Sequence, residues 1–517
     1  MKSKTLIYII SGALLLLQAS CSKFLDRDPQ TALTQEQAFS SLDKIEPVLD
    51  GLMTSWRNLH KDRGGFIFML GNDESQQGAY QVMTDPDQSA LDKYGSFLNA
   101  GNNAVTGQWQ PRWTIVPIAA QAIYALQNFT DTSNAALKDE LLGEACFIRA
   151  ALEFELTQYW GDVPVMDQAK MEEYGGRRQP LKIVYGQITS DLAIAAQNLP
   201  ATQTDKSKVT KYAALALLGK AYLYAPDSSG FRDYQKAADN FEQVINSGKY
   251  SLLPDYADVF DPSHANSSES IYEFQFNNVY PDNNQSQWQA GSRALANNYP
   301  NCYFGGYDLL VPTKYCYSSK SNGGLWETGD TRKDVSIRYD FTYNGAKPSL
   351  PAGFGGDELD PHIKKYEDIR TDNKLSFWYS GKDIFYLRYS DILLNYAECL
   401  NELGKTSDAV DIVNDQIRQR AWGGNLPDSL RWSAGMSQDQ FRINILDERM
   451  RELCFEGWRR MDLIRTGQFV NLIKSRNKWS NQTGTIQQFN QLYPIPFVEM
   501  AQNPDIPQSA QNPGYNN

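Results

Sequence analysis

Paired carboxylates are the first residues in this sequence that could perform chemistry. Asp73-Glu74 and Asp357-Glu358 are adjacent acidic pairs in stretches without helical periodicity. A glycosidase needs two carboxyl groups that face each other across the scissile bond. One hypothesis is therefore a glycoside hydrolase that uses Asp73 or Glu74 with a partner such as Asp357. Adjacent residues of an extended chain point to opposite sides, however, so neither pair forms such an arrangement by itself.

Aromatic and amide side chains alternate in two polar stretches, and this mixture suits the binding of sugars. The apolar face of a sugar ring lies on Trp or Tyr, while amide, carboxylate and guanidinium groups bond to the hydroxyls. Aromatic residues make up 12% of the chain, more than one core readily hides. The candidate ligand-binding residues are Asp73, Tyr80, Tyr94, Trp288, Arg293, Tyr299 and Tyr303.

Trp288 is the strongest of these candidates. It lies in the run NNQSQWQ at 283–289, which offers no apolar neighbour typical of a core position. Tyr299, Tyr303 and Arg293 are close enough in sequence to share a surface with it, and Asp73, Tyr80 or Tyr94 would form the opposite wall. The alternative for any one of these side chains is that it anchors its own loop.

A highly charged segment at 439–465 predicts a long helix that Gly467 ends. Glu448, Glu452 and Glu456 recur at i, i+4 spacing among several arginines. This spacing favours a ladder of ion pairs that connects helices, and it argues against a catalytic role for these residues. The sequence contains no nucleophile elbow, P-loop, HExxH motif or dinucleotide-binding glycine fingerprint.

Apolar residues at helical spacing predict the elements that must position these candidates. Predicted helices cover 141–159 and 183–199, with helical hairpins at 211–224 with 234–245 and at 391–403 with 407–420. In the first hairpin, Leu218-Gly219 with Tyr222 and Ala237 with Phe241 reproduce the tetratricopeptide spacing, in which small residues let paired helices approach closely. The regions 64–106 and 250–383 are predicted to be irregular ligand-binding insertions on this helical scaffold.

The N-terminal residues predict export and a lipid anchor. Lys2 and Lys4 precede an apolar run of about 12 residues, which is too short for the ~20 that span a bilayer. Ala19-Ser20 then leads to Cys21. We expect a signal peptide at 1–20 and lipidation of Cys21; the alternative is an ordinary signal peptide with an incidental cysteine.

Charge and cysteine usage exclude several other classes. A net charge of −12 repels nucleic-acid phosphates. The three histidines are isolated and no CxxC occurs, so a structural zinc site is not expected, and no cofactor is expected either. Cys146, Cys399 and Cys454 lie in helical patterns typical of core residues. Cys302 and Cys316 could either pair in an oxidising compartment or remain free.

Several motifs follow one another in order along the chain. These are FLD at 24–26, EACFIRA at 144–150, YWGDVP at 159–164, RYSDILL at 388–394, EGWRRMDL at 456–463 and LYPIP at 492–496. Together they resemble the SusD/RagB family of surface nutrient-binding lipoproteins of Bacteroidetes. The resemblance covers essentially the whole mature chain, 21–517, which we treat as one SusD-like domain.

This resemblance implies a mostly helical protein with tetratricopeptide-like hairpins and a loop-rich ligand-binding part. It further implies a lipid-anchored protein at the outer-membrane surface that captures oligosaccharides or other nutrients without chemistry. The implied partner is a SusC-like TonB-dependent transporter barrel. The matched motifs are mainly structural and supply no ligand residues. A purely structural adaptor of the transporter complex is a third hypothesis, beside glycan binding and glycoside hydrolysis.

Overall fold

The structure is a computed structural model that describes residues 35–131, 133–166, 176–299, 301–347, 359, 361–372 and 379–515. The predicted mostly helical fold is confirmed. The predicted signal peptide and Cys21 lie outside the described residues, as do Asp357 and Glu358. Among the residues that are described, no helix is both long and apolar enough to cross a bilayer.

A continuous array of helices forms the body of the molecule. Each helix of the array packs against the next one along the chain. The members are α1 (Asn103–Gln127), α2 (Ala135–Trp160), α3 (Leu181–Asn198), α4 (Lys211–Tyr224), α5 (Tyr234–Ile245), α6 (Tyr389–Glu402) and α7 (Thr406–Ile412), which continues through a π-helical turn at Val413–Arg418 and the helical residues Gln419–Ala421.

Local sequence signals explain the bounds of these helices. The Thr210 hydroxyl accepts a hydrogen bond from the backbone N–H of Ala213 at 3.2 Å, and the Asp233 carboxylate accepts one from Lys236 at 2.9 Å. These side chains cap α4 and α5 as N-cap residues do. Helix α2 ends at Gly161, whose φ of 73° is readily available only to glycine. The predicted helices and both hairpins are therefore confirmed, with bounds within a few residues.

The tetratricopeptide-like packing of α4 against α5 depends on one small residue. A Cβ built on Gly219 would lie 2.5 Å from the ring of Phe241, and Phe241 and Ala237 are both fully buried. The close approach of the two helices thus requires glycine at this position. This contact agrees with the prediction that small residues let the paired helices approach closely.

The loop-rich part is inserted between two neighbours of the array. Helices α5 and α6 pack against each other, although the chain between them runs through residues 246–388. The short strands form antiparallel pairs. The pairs are Ser75–Gln76 with Val311–Pro312, Val163–Pro164 with Arg178–Gln179, Ser270–Phe274 with Ile384–Arg388, and Ile337–Arg338 with His362–Ile363.

Pairing between strands brings the two predicted irregular regions together. Ser75 is opposite Pro312 and Gln76 is opposite Val311, so a strand of the region 64–106 pairs with a strand of the region 250–383. The described residues of both regions are more ordered than predicted. They contain the short helices Arg63–Ile67, Gln81–Thr84, Pro86–Lys93, Tyr256–Val259, Ser286–Ala290, Arg293–Asn298, Lys314–Tyr317 and Arg332–Ser336.

Further helices complete the body around this insertion. Leu42–Asn58 packs against α1 and α2 near the N-terminal end of the described chain. The C-terminal third adds α8 (Gln438–Leu453), α9 (Arg459–Arg465), Phe469–Arg476, Lys478–Thr483 and Phe497–Gln502. The main core draws residues from the helical array and from the insertion, with Trp56, Phe274 and Tyr386 in mutual ring contact where the two meet.

The prediction of one helix over 439–465 is wrong. Helix α8 stops at Leu453, because Cys454 leaves the helical conformation and Phe455 and Gly457 take positive φ angles of 67° and 87°. The break frees the backbone N–H of Phe455, which donates to the buried carboxylate of Glu74 at 3.1 Å. A tertiary contact with residue 74 therefore accompanies the break, which the local sequence did not reveal.

The ion-pair interpretation of this segment is confirmed, and the pairs are buried. Glu452 contacts Arg388 at 2.7 Å, Arg420 at 2.5 Å and Arg332 at 3.1 Å. Burial raises the pKa of this carboxyl, but the three guanidiniums outweigh burial and hold its pKa well below the usual range. Glu448 is surrounded in the same way by Arg332, Arg418 and Arg451. We call these two glutamates and their arginines the buried ion network.

A bond between Cys302 and Cys316 does not form in the structure. Cys302 lies in a small satellite cluster with Leu295 and Phe304, whereas Cys316 belongs to the main core. Cys146, Cys399 and Cys454 are buried, as their helical patterns predicted. Within the described ranges, no group of three or more His, Cys, Asp or Glu side chains is arranged to hold a metal ion.

Candidate functional site

Trp288 and Tyr307 form a stacked pair at the surface of the insertion. Trp288 lies in the short helix Ser286–Ala290, and the backbone N–H of Tyr307 donates to the Trp288 carbonyl at 2.7 Å. The ring centroids are 6.2 Å apart with an angle of 27° between the planes, and both side chains are half-buried. A Cβ on Gly306 would lie 2.4 Å from the Trp288 carbonyl, so glycine permits this close approach. The backbone thus fixes the two rings side by side.

Two guanidinium groups lie against aromatic rings on this surface. The Arg63 guanidinium carbon lies 5.3 Å from the centre of the Tyr307 ring, and that of Arg293 lies 3.2 Å from the centre of Tyr80. Such cation–π contacts orient a guanidinium without neutralising it. Arg63 also donates to the neutral amide oxygen of Gln88, at 2.5 Å from Nη2. We call Arg63, Tyr80, Trp288, Arg293 and Tyr307 the aromatic face.

Hydrogen bonds join the segments that carry Tyr80, Arg293 and Tyr307 of the aromatic face. The Gln81 side-chain amide donates to the Tyr307 carbonyl at 2.7 Å, directly beside Tyr80. Asp308 accepts the backbone N–H of Arg293 at 2.9 Å through its carboxylate and that of Gly78 at 2.9 Å through its carbonyl. The His362 ring nitrogen lies 2.7 Å from the same Asp308 carboxylate. Asp308 therefore connects the segments at residues 78, 293 and 362.

A second aromatic pair is more exposed. Tyr280 has 75% of its surface accessible, and its ring centre lies 6.3 Å from that of Tyr379. The loop before Tyr280 is held by Asn278, whose side-chain oxygen accepts the N–H of Gly381 at 2.7 Å.

Neither the contact of Tyr280 with Tyr379 nor the position of Arg63 on the aromatic face was identified from the sequence. Arg63 immediately precedes the irregular region 64–106, and its spacing gives no signal of its own.

Asp73 was predicted to face a ligand, and the structure instead buries it. Its carboxylate has no accessible surface and pairs with Arg459 at 2.6 Å and with Arg476 at 2.8 Å. Burial raises the pKa of Asp73, but the two guanidiniums outweigh burial and the net shift is downward. The neighbouring Glu74 is also buried, and burial raises its pKa well above the usual range. Neither carboxylate reaches the aromatic face.

Tyr94 is the second candidate that the structure places in the interior. Its hydroxyl donates to the Gly71 carbonyl and accepts a hydrogen bond from Arg460 at 3.0 Å. Burial raises the pKa of Tyr94. Of the three candidates in the first region, Tyr80 therefore lies on the aromatic face, while Asp73 and Tyr94 support the interior behind it.

Tyr299 and Tyr303 pack away from Trp288, on the satellite cluster. The Tyr299 ring lies 5.4 Å from Tyr343, and the Tyr303 ring lies 4.9 Å from Phe304. Within the described residues neither tyrosine makes a ring contact with Trp288. Tyr303 instead lines an open cavity of about 610 Å³ with Phe260, Arg338, Ile369 and Arg370, among others. The expectation that both share the Trp288 surface is not met by these contacts.

Two sequence models of protein families match the chain. One is described as the SusD family and matches residues 268–515; the other is described as starch-binding associating with outer membrane and matches residues 23–223. A SusD-like protein of Formosa agariphila is 25% identical and aligns with 96% of this chain and 97% of its own length.

Solved structures share the fold at low sequence identity. The crystal structure of a SusD homolog from Bacteroides thetaiotaomicron has a TM-score of 0.76 and 21% identity, covering 94% of this chain and all of that one. Surface glycan-binding protein A from the same organism, in complex with laminarihexaose, has a TM-score of 0.72 and 19% identity, covering 90% of this chain and 99% of that one.

Proposed function

The chain belongs to the SusD family, and we propose that it is a non-catalytic glycan-binding lipoprotein of the outer-membrane surface. The observation that carries this proposal is the Trp288–Tyr307 stack with guanidinium groups held on the neighbouring rings. It combines flat apolar surface with hydrogen-bond donors, which is the mixture that a sugar ring requires.

Binding would proceed by stacking first and by hydroxyl recognition second. The rings of Trp288 and Tyr307 provide the apolar platform. Arg63 provides a charged donor whose direction is set by its contacts with Tyr307 and Gln88. Because the backbone contacts of Asp308 and Gly306 hold these groups in place, little conformational entropy would be lost on binding.

Two comparisons support a glycan as the ligand class. One matching family model is described as starch-binding, and one protein of the same fold was solved with laminarihexaose bound. The outer-membrane association in the former description supports the predicted location.

We propose that the protein does not hydrolyse its ligand, because the candidate carboxylates Asp73 and Glu74 are buried. A glycosidase would have to present two acids to the sugar, and the candidates Asp73 and Glu74 are both buried. We expect oligosaccharides incubated with the protein to remain intact when products are separated by chromatography. Shortened products that Asp73→Asn abolishes would support the hydrolase hypothesis instead.

We further propose that the protein is anchored through Cys21 and delivers its ligand to a SusC-like TonB-dependent transporter. The apolar run that ends in Ala19-Ser20-Cys21 supports the anchor. Cys21→Ala should release the protein from the membrane fraction. A variant that stays membrane-bound, together with a wild type that carries no lipid by mass spectrometry, would contradict the anchor.

The decisive test of glycan binding uses Trp288→Ala. A glycan array that includes laminari- and malto-oligosaccharides would first identify a ligand. Calorimetric titration of that ligand should then show binding weakened about tenfold or more, by analogy with the ~1–3 kcal/mol of base–aromatic stacking. Trp432→Ala is a matched control, because Trp432 packs on Phe441 in the helical body.

Two outcomes would contradict the proposal. If Trp288→Ala lowers the melting temperature clearly and leaves affinity unchanged, the indole has a packing role. If the wild type binds no glycan on the array but still associates with the transporter, the protein is a structural adaptor.

A further inference from the structure

Two buried cysteines from distant parts of the chain meet in the core. Cys316 lies in the helix Lys314–Tyr317 of the insertion, and Cys454 is the residue at which α8 ends. Both side chains are fully buried, and their thiols are hydrogen-bonded to each other. No other pair among the five cysteines of the described chain makes such a contact.

Hydrogen bonds on both sides hold the two cysteine-bearing segments together. The Tyr315 hydroxyl donates to Asp447 of α8 at 2.8 Å, and Arg451 of α8 donates to the Leu325 carbonyl at 3.1 Å. Glu74 joins the segments from a third side, because its carbonyl accepts the N–H of Thr313 at 2.9 Å and its carboxylate accepts that of Phe455. The two sulfur atoms therefore face each other in a fixed setting.

The surroundings of Cys454 favour its thiolate in the folded structure. Burial raises its pKa, but the hydrogen bond from Cys316 and the nearby Lys365 ammonium outweigh burial and bring the pKa to about 7. Burial raises the pKa of Cys146, Cys302 and Cys399 instead. The hydrogen bond between Cys316 and Cys454 therefore distinguishes these two cysteines from the other three.

We propose that Cys316 and Cys454 are joined by a disulfide in the exported protein, as the product of exchange with a protein disulfide donor of the oxidising compartment. The thiolate of one of the two cysteines attacks one sulfur of the donor, forms a mixed disulfide and releases one donor thiolate. The thiolate of the other cysteine then attacks the first cysteine's sulfur and releases the second donor thiolate. The two cysteine protons end on the donor thiols, and the donor accepts two electrons.

This exchange belongs to folding, before the insertion closes over α8. In the folded structure neither sulfur has accessible surface. The cross-link would tie the insertion, which carries Tyr307 of the aromatic face, to the helical body. It closes a very long loop, and such loops give large stabilisation in the chain-entropy account of disulfides.

Peptide mapping of the wild-type protein tests the bond directly. Full-length protein would be extracted from the outer membrane of an expressing strain, denatured, alkylated without reduction and digested. We expect a linked peptide pair containing Cys316 and Cys454, lighter than the separate thiols by two hydrogen atoms, with Cys146, Cys302 and Cys399 alkylated. Alkylation of Cys316 and Cys454 as free thiols would overturn the proposal.

A stability comparison provides the second test. Wild type that is unfolded and refolded in reductant should melt several degrees below untreated wild type. Cys316→Ser should melt lower than wild type and show no further fall after the reductant treatment. Cys399→Ser, a buried cysteine outside the pair, should keep the full response to reductant. A wild type whose melting temperature does not respond to this treatment would contradict the disulfide.

Discussion

Arginine serves opposite purposes in the buried ion network and on the aromatic face. In the network, Arg332 and Arg388 are fully buried and contact carboxylates at about 3 Å. On the face, Arg63 is half-buried, donates to a neutral amide and lies against the Tyr307 ring. Carboxylates compensate the charge of the network arginines, whereas among the described residues no carboxylate forms an ion pair with Arg63.

This difference between the two sets of arginines leads us to expect ligand binding on the aromatic face and a stabilising role for the buried ion network. A buried arginine with carboxylate partners stabilises one arrangement of helices, and removing either partner leaves an uncompensated charge. An arginine that is held by a ring keeps donors that a ligand can use. The two regions should therefore separate cleanly in experiment, with stability changing in the network and affinity changing on the face.

The largest expected effect is on stability, from Arg459→Ala. This residue makes two hydrogen bonds to the buried Asp73, at 2.6 and 2.8 Å, and its loss would leave that carboxylate with Arg476 alone. We expect the free energy of unfolding to fall by about 3–5 kcal/mol in denaturant titrations, with unchanged glycan affinity in the protein that folds. The control is Arg442→Ala at an exposed pair, with an effect of about 0.2–1 kcal/mol. Normal stability with lost affinity would place Arg459 in the binding site.

The second effect is a dependence of stability on pH. Burial raises the pKa of Glu153 to about 8 and the pKa of both Glu144 and Glu273 to about 7. Between about pH 8 and pH 5 the folded chain therefore binds more protons than the unfolded chain, so stability should rise as the pH falls. At lower pH the unfolded carboxylates take up protons while Glu448 and Glu452, whose pKa values are depressed by their arginines, do not, so stability should then decline.

Denaturant unfolding at a series of pH values measures this curve, with a maximum expected near about pH 5. Glu153→Gln should flatten the rise between about pH 8 and pH 6. A stability that falls steadily from pH 8 downward would show that these three glutamates are not buried as described.

A smaller effect is expected from Gly219→Ala in the helical body. The added methyl group would meet the Phe241 ring at 2.5 Å, and such overpacking costs about 1–3 kcal/mol. Gly51→Ala is the matched control, because Gly51 lies in the exposed part of a helix with no atom within 4 Å of its Cβ position. That control should stabilise the protein by about 0.5–1 kcal/mol. Equal effects of the two changes would contradict the close packing of α4 on α5.

The smallest effect compares two tyrosines of the insertion, Tyr307 on the aromatic face and Tyr303 on the satellite cluster. Tyr307→Ala removes the stack on Trp288 and the ring beneath Arg63, and should weaken glycan binding by about 1 kcal/mol. Tyr303→Ala removes a ring of the satellite cluster and should leave affinity unchanged. Calorimetry on both variants measures this difference. Loss of affinity in Tyr303→Ala alone would move the binding site to the cavity that this residue lines.

Much of the scaffold was predictable, because its signals are local. Helix periodicity located α2, α3 and both hairpins, and the tetratricopeptide spacing predicted small residues where α4 and α5 pack closely. The acids and arginines of 448–465 also predicted ion pairs that tie helices together, although most partners of Glu448 and Glu452 lie on other segments of the chain. Local signals thus identify helices and charged faces, whereas the partners across the core are decided by the tertiary structure.

Other features depended on partners far away in sequence. The break after Leu453, with Phe455 bonded to Glu74, involves segments that no local pattern connects. The same holds for Asp73 and Tyr94, whose composition suited a ligand wall but whose partners are arginines of α9 and of the following helix.

The sequence by itself therefore determined the fold class, the family and the polar, aromatic character of the insertion, because composition and short-range periodicity encode them. Only the tertiary structure decided which of those polar and aromatic groups reach the surface. A carboxylate or phenol can lie in an exposed loop, and it can also lie in the core if a buried guanidinium provides the charge or hydrogen bond that it needs there. Asp73 found such guanidiniums and became structural, whereas Trp288 and Tyr307 found each other at the surface and form the face on which we expect a glycan to bind.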